Sequence, residues 1–207
     1  QFVASESNAL NEIFADFKTT GIIDLVIDLR YNGGGSVRNC VELASMITGQ
    51  LTGEVFSNEQ WNSKLDAYFL EKYGSDSQKN RFVNVLSDGE PINSLELNRV
   101  FILTTSESAS ASELLINGLA PLIEVIHIGE QTVGKNVGSI TVYDYIDNDG
   151  TRNPDHRYAM QPIVLKIANS VGFADYADGL EPSTVIEEDI QNMGTLGDEN
   201  EPFLATV

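Results

Sequence analysis

A serine-rich segment and a lysine 25 residues downstream carry the most informative chemistry of this sequence. Ser110 lies in the run Ser108–Glu113 (Ser-Ala-Ser-Ala-Ser-Glu), ahead of apolar residues typical of a helix, and Lys135 ends the run Gly129–Lys135. A serine hydroxyl is a weak nucleophile until a neighbouring base takes its proton, and a neutral lysine amine can act as that base. The two segments therefore indicate nucleophilic catalysis by a Ser–Lys pair.

A glycine-rich turn upstream could stabilise the charge that develops in such a reaction. The strand-like run that ends at Asp28–Arg30 is followed by Tyr31–Gly35 (Tyr-Asn-Gly-Gly-Gly). Backbone N–H groups in such a turn can donate to an oxyanion. The same glycines are also compatible with an ordinary strand-to-helix turn. Arg30 could form a buried ion pair or act as a clamp that orders this loop. Taken together, the three segments indicate a serine peptidase.

The same residues also have purely structural interpretations. Ser110-x-x-Glu113 ahead of Leu114 and Leu115 is a helix capping box. Both roles can coexist, because a helix N-terminus favours the negative charge of an acyl oxyanion. A single lysine is usually a hydrated surface charge. Since free lysine has a pKa of ~10.4, a lysine that acts as a base must be largely desolvated, so the hypothesis requires burial of Lys135.

Spacing argues against three ligand-binding motifs. Gly129–Lys135 resembles a phosphate-binding loop, but Asn136 stands where that loop needs Ser or Thr, and the following residues indicate a strand. Gly33–Gly35 lacks the spacing of a dinucleotide site. Asp147–Gly150 lacks the ligands of a calcium loop and indicates a hairpin turn. We therefore expect neither a metal nor a cofactor.

The overall composition argues against nucleic-acid-binding and membrane-spanning proteins. The 207 residues suit one domain, and the net charge of −19 argues against binding to nucleic acid or to an anionic membrane. No apolar run approaches the ~20 residues that span a bilayer. Cys40 is the only cysteine and is interpreted as a small buried hydrophobe, and His127 as a core residue rather than a base. Since the chain begins at Gln1, we expect a fragment or a processed form.

Apolar periodicity predicts an α/β core with parallel strands. Helical spacing covers residues 6–19, 36–48 and 111–122, and short apolar runs typical of buried strands cover residues 22–29, 100–103 and 123–128. After Lys135 the pattern changes to a β-rich segment, with strands at 139–146 and 160–167. The polar stretch at about 52–98 is interpreted as an insertion or flap beside the core.

The sequence resembles the catalytic domain of the C-terminal processing peptidases, also called tail-specific proteases. The matching segments are Asp28–Gly35, Val100–Leu115, Ile128–Lys135, Gly179–Pro182 and Leu196–Asp198. The resemblance implies a crotonase/ClpP-like α/β core with strand–helix–strand units, and one peptidase catalytic domain over residues 1–207. Family members usually carry a PDZ domain, which we expect to lie outside this chain.

The resemblance also implies roles for individual residues. Ser110 becomes the nucleophile and Lys135 the general base, and the backbone N–H groups of Gly34 and Ala111 form the oxyanion hole. The positions that would support them are Arg30, Gly35, Glu113 and Thr132. Many relatives hold the lysine with a Gln four residues later, but this position is Ser139 here. The orienting residue is therefore open between Ser139 and Asn136.

These features predict a metal-independent serine endopeptidase that acts on unfolded proteins or C-terminal tails, with protein or peptide substrates as its partners. Family members are commonly exported, which implies a periplasmic or cell-envelope location in a bacterium. One alternative is a non-catalytic binding module, as in interphotoreceptor retinoid-binding repeats, although such a module would need neither Ser110 nor Lys135. Another is a scaffold whose activity is withheld until the segment at 52–98 reorganises.

Overall fold

Four α-helices and ten β-strands make up the computed structural model, which describes residues 1–207. The helices are α1 (Ser7–Thr20), α2 (Val37–Ile47), α3 (Ser63–Tyr73) and α4 (Ala111–Leu119). The strands are β1 (Val26–Asp28), β2 (Val55–Trp61), β3 (Lys79–Arg81), β4 (Arg99–Thr104), β5 (Glu124–Gly129), β6 (Val137–Ser139), β7 (Val142–Tyr143), β8 (Ala159–Met160), β9 (Ile163–Asn169) and β10 (Thr184–Val185). None of the helices has the length and apolar character needed to cross a bilayer.

A parallel sheet with the order β1-β4-β5-β10 brings the three candidate segments together. Phe101 of β4 lies opposite Val26 of β1 and Ile126 of β5. Because the carboxyl ends of parallel strands meet at one edge, the glycine turn after β1, the serine run after β4 and the lysine run after β5 leave the sheet on the same side. The predicted α/β class is confirmed.

Helix α4 is buried along its whole length, which explains its composition. All nine of its residues are buried, and it contacts β2 and β9 as well as β5 of the parallel sheet. A helix enclosed in this way is apolar on every face except where a polar side chain has a specific partner. Gly118 allows close packing, since a Cβ there would lie 2.3 Å from a ring carbon of Phe56.

A second, antiparallel sheet has the order β3-β2-β9-β6 and includes part of the segment that the sequence suggested as a flap. Phe56 on β2 and Phe82 just after β3 are buried in the main core, with their ring centroids 5.3 Å apart. Helix α3, between these strands, has no buried residue. Residues 52–98 thus combine core strands with an exposed helix, and the division of the chain into a catalytic domain and a flap stays a prediction.

The β-rich segment after Lys135 is divided more finely than the sequence predicts. Strands β7 and β8 pair as a short antiparallel ribbon, with Val142 opposite Met160, while β6 and β9 belong to the second sheet. The predicted turn is confirmed: Asp147 Oδ1 accepts the backbone N–H groups of Asp149 and Thr151, at 3.0 and 2.9 Å. This side chain replaces backbone partners that the turn lacks.

Two apolar clusters cover the faces of the parallel sheet. The main core of 23 buried residues draws on α1, α2, α4 and both large sheets, and it includes the fully buried Cys40. Burial raises the pKa of the Cys40 thiol, which donates to the carbonyl of Ala111 at 3.3 Å, so this cysteine packs as an inert hydrophobe. A smaller cluster of Leu103, Ile128 and Phe203 lies apart from the main core and includes a residue near the C-terminus.

Candidate active site

The serine run is bonded directly to the end of β1. Asn32 O accepts the N–H of Ala109 at 3.0 Å and the hydroxyl of Ser112 at 2.8 Å. The hydroxyl of Ser108, which is fully buried, donates to Leu29 O at 2.8 Å. These bonds join residues about 80 positions apart, so the glycine turn and the start of α4 form one unit.

Ser110 occupies a strained turn at the start of α4. Its φ of 59° and ψ of −111° lie in a region that residues other than glycine rarely adopt. Gly34, with a φ of 94°, packs so closely that a Cβ on it would lie 2.7 Å from Ser110 Cβ and from Ala111 N. Strained turns that lead from a strand into a helix present nucleophiles in several hydrolases, and the half-buried Ser110 sits in such a turn.

The two predicted oxyanion donors lie next to Ser110, but only one is free. The N–H of Ala111, the first of α4, makes no hydrogen bond. The N–H of Gly34 donates to Oδ1 of Asn32 at 3.0 Å. Gly35 has a packing role instead, because a Cβ there would lie 2.1 Å from the carbonyl oxygen of Phe2.

Glu113 is the centre of the hydrogen-bond network around Ser110. Its buried carboxylate accepts from Ser110 N at 2.7 Å and Lys135 N at 2.9 Å through Oε2, and from the Thr132 hydroxyl and Gly134 N at 2.6 Å each through Oε1. Four donors replace the water that a buried carboxylate loses. This confirms the carboxylate half of the predicted capping box and extends it to the lysine loop, so that the backbones of Ser110 and Lys135 lie side by side.

Thr132 extends the network to the segment Gly179–Pro182. Its hydroxyl donates to Glu113 and accepts the N–H of Leu180 at 2.8 Å, while its own N–H donates to Leu180 O at 3.2 Å. Gly179, with a φ of 102°, lies so close that a Cβ would be 2.2 Å from Thr132 O. The two matching segments therefore support each other through backbone contact.

Lys135 is exposed, and no hydrogen bond joins its ammonium group to the Ser110 hydroxyl. Neither candidate orienter is seen holding the lysine: the buried Asn136 amide donates to Ala174 O at 2.7 Å, and Ser139 is exposed at the end of β6. The burial that a lysine base requires is therefore not found in this state of the chain.

Arg30 forms a buried ion pair rather than facing Ser110. Its side chain is only 6% exposed and contacts Asp28 Oδ2 at 2.7 Å and Glu201 Oε1 at 2.8 Å. Hydrogen bonds to Asp28 raise the pKa of Arg30 further, and its guanidinium lies 4.7 Å from the ring centroid of Phe203. Arg30 thereby attaches the C-terminal segment to the end of β1. Of the two interpretations of this residue, a buried ion pair or a clamp on the glycine loop, the structure shows the ion pair.

His127 is a core residue on β5. Its Nε2 lies 2.7 Å from the hydroxyl of Thr104, and that hydroxyl donates to Glu130 O, so the ring donates to the threonine. Burial lowers the pKa of His127 to about 4, against the weaker effect of a backbone bond to Glu181. A neutral, hydrogen-bonded imidazole in a strand is structural. No group of three or more His, Cys, Asp or Glu residues is arranged to hold a metal ion.

Sequence reasoning missed the roles of Asn32 and Glu201. The pair Asn32-Gly33 is a common turn signal, but nothing in the sequence shows that this amide would accept from Gly34 N. Glu201 lies 171 positions from Arg30, and no local pattern connects them.

The chain is similar to known peptidases in sequence and fold. A model of peptidase family S41 matches residues 1–161. A Bacteroides fragilis NCTC 9343 protein assigned to the S41 proteases is 25% identical, with a TM-score of 0.78 over 98% of this chain and 48% of that one. The photosystem II D1 C-terminal processing protease is 20% identical, with a TM-score of 0.60 over 90% of this chain and 40% of that one.

A third solved structure, mature CPAF complexed with lactacystin, is 14% identical, with a TM-score of 0.57 over 86% of this chain and 42% of that one. The chain thus spans less than half the length of each of these proteins. No curated protein matches it.

Proposed function

Because the chain belongs to peptidase family S41, we propose that residues 1–207 form a serine peptidase catalytic domain in which Ser110 is the nucleophile and Lys135 the general base. The observation that carries the proposal is the network centred on Glu113, which places the backbones of both residues on one carboxylate oxygen. That network leaves the Ser110 side chain at a strained turn beside Gly34.

The reaction proceeds through an acyl-enzyme. The Ser110 hydroxyl oxygen attacks the peptide carbonyl carbon, and its proton passes to the neutral amine of Lys135. The carbonyl oxygen becomes an oxyanion that accepts from the N–H groups of Ala111 and Gly34. When the C–N bond breaks, Lys135 returns the proton to the leaving amine, and water then hydrolyses the ester on Ser110.

Two features of the described state change on substrate binding. The Gly34 N–H exchanges Asn32 Oδ1 for the substrate carbonyl oxygen. The exposed Lys135 is covered by the substrate chain, which removes water from around its amine. Assembly of the catalytic site by the correct substrate is induced fit, which contributes to specificity.

An edge strand beside Lys135 suits an extended substrate. Strand β6 begins two residues after Lys135 and lies at the end of the second sheet, with one side paired to β9. An added strand on its free side would run past Lys135 through main-chain hydrogen bonds, which are independent of sequence. Unfolded segments and C-terminal tails are therefore the proposed substrates, and the family resemblance supports an exported, envelope location.

Mass spectrometry of an unstructured protein incubated with the chain tests the proposal. We expect fragments from the wild type and a loss of at least about 10³-fold in rate for Ser110→Ala, because the nucleophile is gone. Lys135→Met should lose a comparable factor, since no base remains. Ser106→Ala, an exposed serine four residues earlier, is the control and should cleave normally. Full activity of Ser110→Ala would overturn the assignment.

A further inference from the structure

A cavity of about 520 Å³ lies beside Arg30, between the end of β1 and the C-terminal segment. Three carboxylates line it, Asp28, Glu188 and Glu201, and Arg30 is the only basic residue in its wall. The side chains of Arg30, Glu188 and Glu201 are 6%, 10% and 2% exposed. The wall therefore carries an excess of negative charge, much of it shielded from water.

The hydrogen bonds in the cavity wall leave one carboxylate oxygen without a partner. Arg30 donates to Asp28 through Nε and Nη2 and to Glu201 through Nη1. Glu188 Oε1 is buried and accepts no hydrogen bond, and its nearest cation, Arg30 Nη1, is 3.9 Å away. An unsatisfied buried carboxylate oxygen is unfavourable, and buried polar groups in native proteins are nearly always paired. A cation bound in the cavity would offset the charge of this carboxylate.

The rest of the lining indicates an organic cation. The cavity is far larger than an ion, and its carboxylates are not arranged as metal ligands. Tyr31, Met193 and Leu196 add an aromatic and apolar wall. Such a wall suits the aliphatic stem of a basic side chain, while carboxylates and an aromatic ring attract its charged end.

One residue of the cavity wall is adjacent in the chain to a residue that contacts the Ser110 loop. Tyr31 precedes Asn32, whose carbonyl accepts from both Ala109 N and the Ser112 hydroxyl on either side of Ser110. We propose that this cavity binds a lysine or arginine side chain of the polypeptide substrate, with the charged end at Glu188, so that it selects substrates with a basic residue at a fixed distance from the cleaved bond. This inference rests on the proposed peptidase function.

Binding of a small probe tests the cavity without requiring catalysis. Titration calorimetry should show that Nα-acetyl-lysine amide binds the wild type at least about tenfold more tightly than Nα-acetyl-norleucine amide, which has a stem of the same length and no charge. The methyl resonance of Met193 should shift only with the lysine probe. Equal binding of the two amides, or tighter binding of the free diamine putrescine than of the lysine amide, would overturn the proposal.

A matched pair of variants assigns the effect to one carboxylate. Glu188→Gln keeps the shape of the side chain and should weaken binding of the lysine probe about tenfold. Glu187→Gln, at the exposed neighbouring residue outside the cavity, should leave the affinity for the probe unchanged. Thermal melts followed by circular dichroism establish that both variants are folded. Unchanged binding to a folded Glu188→Gln protein would contradict the proposal.

Peptide cleavage then tests the role in selection. In a series of unstructured peptides with one lysine moved along a Gln-rich sequence, one lysine position should raise kcat/KM about tenfold in the wild type. Glu188→Gln should lose that preference, so that the variant cleaves the lysine peptide and the lysine-free peptide with the same kcat/KM. A preference that survives in Glu188→Gln would contradict the role in selection. If no peptide is cleaved, the peptidase proposal fails. The probe titration still determines whether the cavity binds a lysine side chain.

Discussion

The backbone N–H groups of Ser110 and Lys135 donate to the same oxygen atom, Glu113 Oε2, at distances of 2.7 and 2.9 Å. One carboxylate on the first turn of a buried helix thus fixes the spacing of two loops that leave adjacent strands of the parallel sheet. In the proposed function, a bound substrate covers Lys135 and brings its amine to the Ser110 hydroxyl. The following predictions test this arrangement.

Replacing Glu113 by Gln should impair both stability and activity. The amide retains one acceptor oxygen, but its NH₂ group would face backbone donors that the carboxylate now accepts, leaving buried N–H groups unpaired at a cost of about 1–3 kcal/mol each. Urea unfolding should show a loss of about 2–4 kcal/mol, and cleavage should fall because the Lys135 loop loosens. Glu107→Gln, at an exposed residue of the same run, is the control. Wild-type stability of Glu113→Gln would mean that the network does little to hold the site.

Adding a methyl group at Gly34 should disable the site, whereas the same change at Gly33 should be tolerated. At Gly34 the new Cβ would lie 2.7 Å from the backbone atoms Ala109 O and Ala111 N, and the φ of 94° disfavours any side chain. At Gly33 no atom lies within 4 Å. We expect Gly34→Ala to lose more than 1 kcal/mol of stability and nearly all activity, and Gly33→Ala to stay within about 0.5 kcal/mol. Thermal melts and peptide cleavage of the pair check this, and equal behaviour of the two variants would refute the role of Gly34.

Removing the charge of Arg30 should detach the C-terminal segment. Arg30→Met leaves the buried Glu201 without its ion partner, and breaking a buried pair costs about 3–5 kcal/mol, less here because Asp28 is partly exposed. Arg99→Met, which breaks an exposed pair with Asp24, should melt close to the wild type, because exposed ion pairs contribute little to stability. Limited proteolysis should cleave Arg30→Met near Glu201 sooner than the control. Equal melting temperatures of the two variants would argue against a structural role for this ion pair.

Stability should fall as the pH drops through the titration range of His127. Burial lowers the pKa of this residue to about 4 in the folded chain, below the ordinary value of 6.5. Between these values the unfolded chain binds the proton and the folded chain does not, so the contribution of His127 is complete above pH 6.5 and is lost on going down to about pH 4. The full effect is about 3 kcal/mol.

Urea unfolding at pH 7.5 and pH 5 measures this effect. His127→Gln should lose the part of the pH dependence that the histidine contributes, while His156→Gln, at a more exposed histidine, should keep it. A wild type whose stability falls no more steeply than that of His127→Gln would show that the buried imidazole does not titrate as described.

The sequence by itself determined the class of the fold and the segments that meet at the site. Alternating apolar strands and helices give a parallel sheet, and a parallel sheet brings the loops after β1, β4 and β5 to one edge. The glycine turn, the Ser110 run and the Asp147 turn are also predictable from the sequence, because turns and helix caps depend on residues within a few positions of each other.

Only the tertiary structure decided how those segments are held and which groups are exposed. The role of Glu113 depends on donors 19 to 22 positions away, and the partners of Arg30 include a residue 171 positions away. Strand β2 appears polar in sequence, yet Ser57 is buried because Asn80 donates to its hydroxyl at 3.1 Å. The exposure of Lys135 and the unpaired oxygen of Glu188 follow from packing as well. Burial of polar groups is set by partners distant in the chain, which local periodicity does not encode.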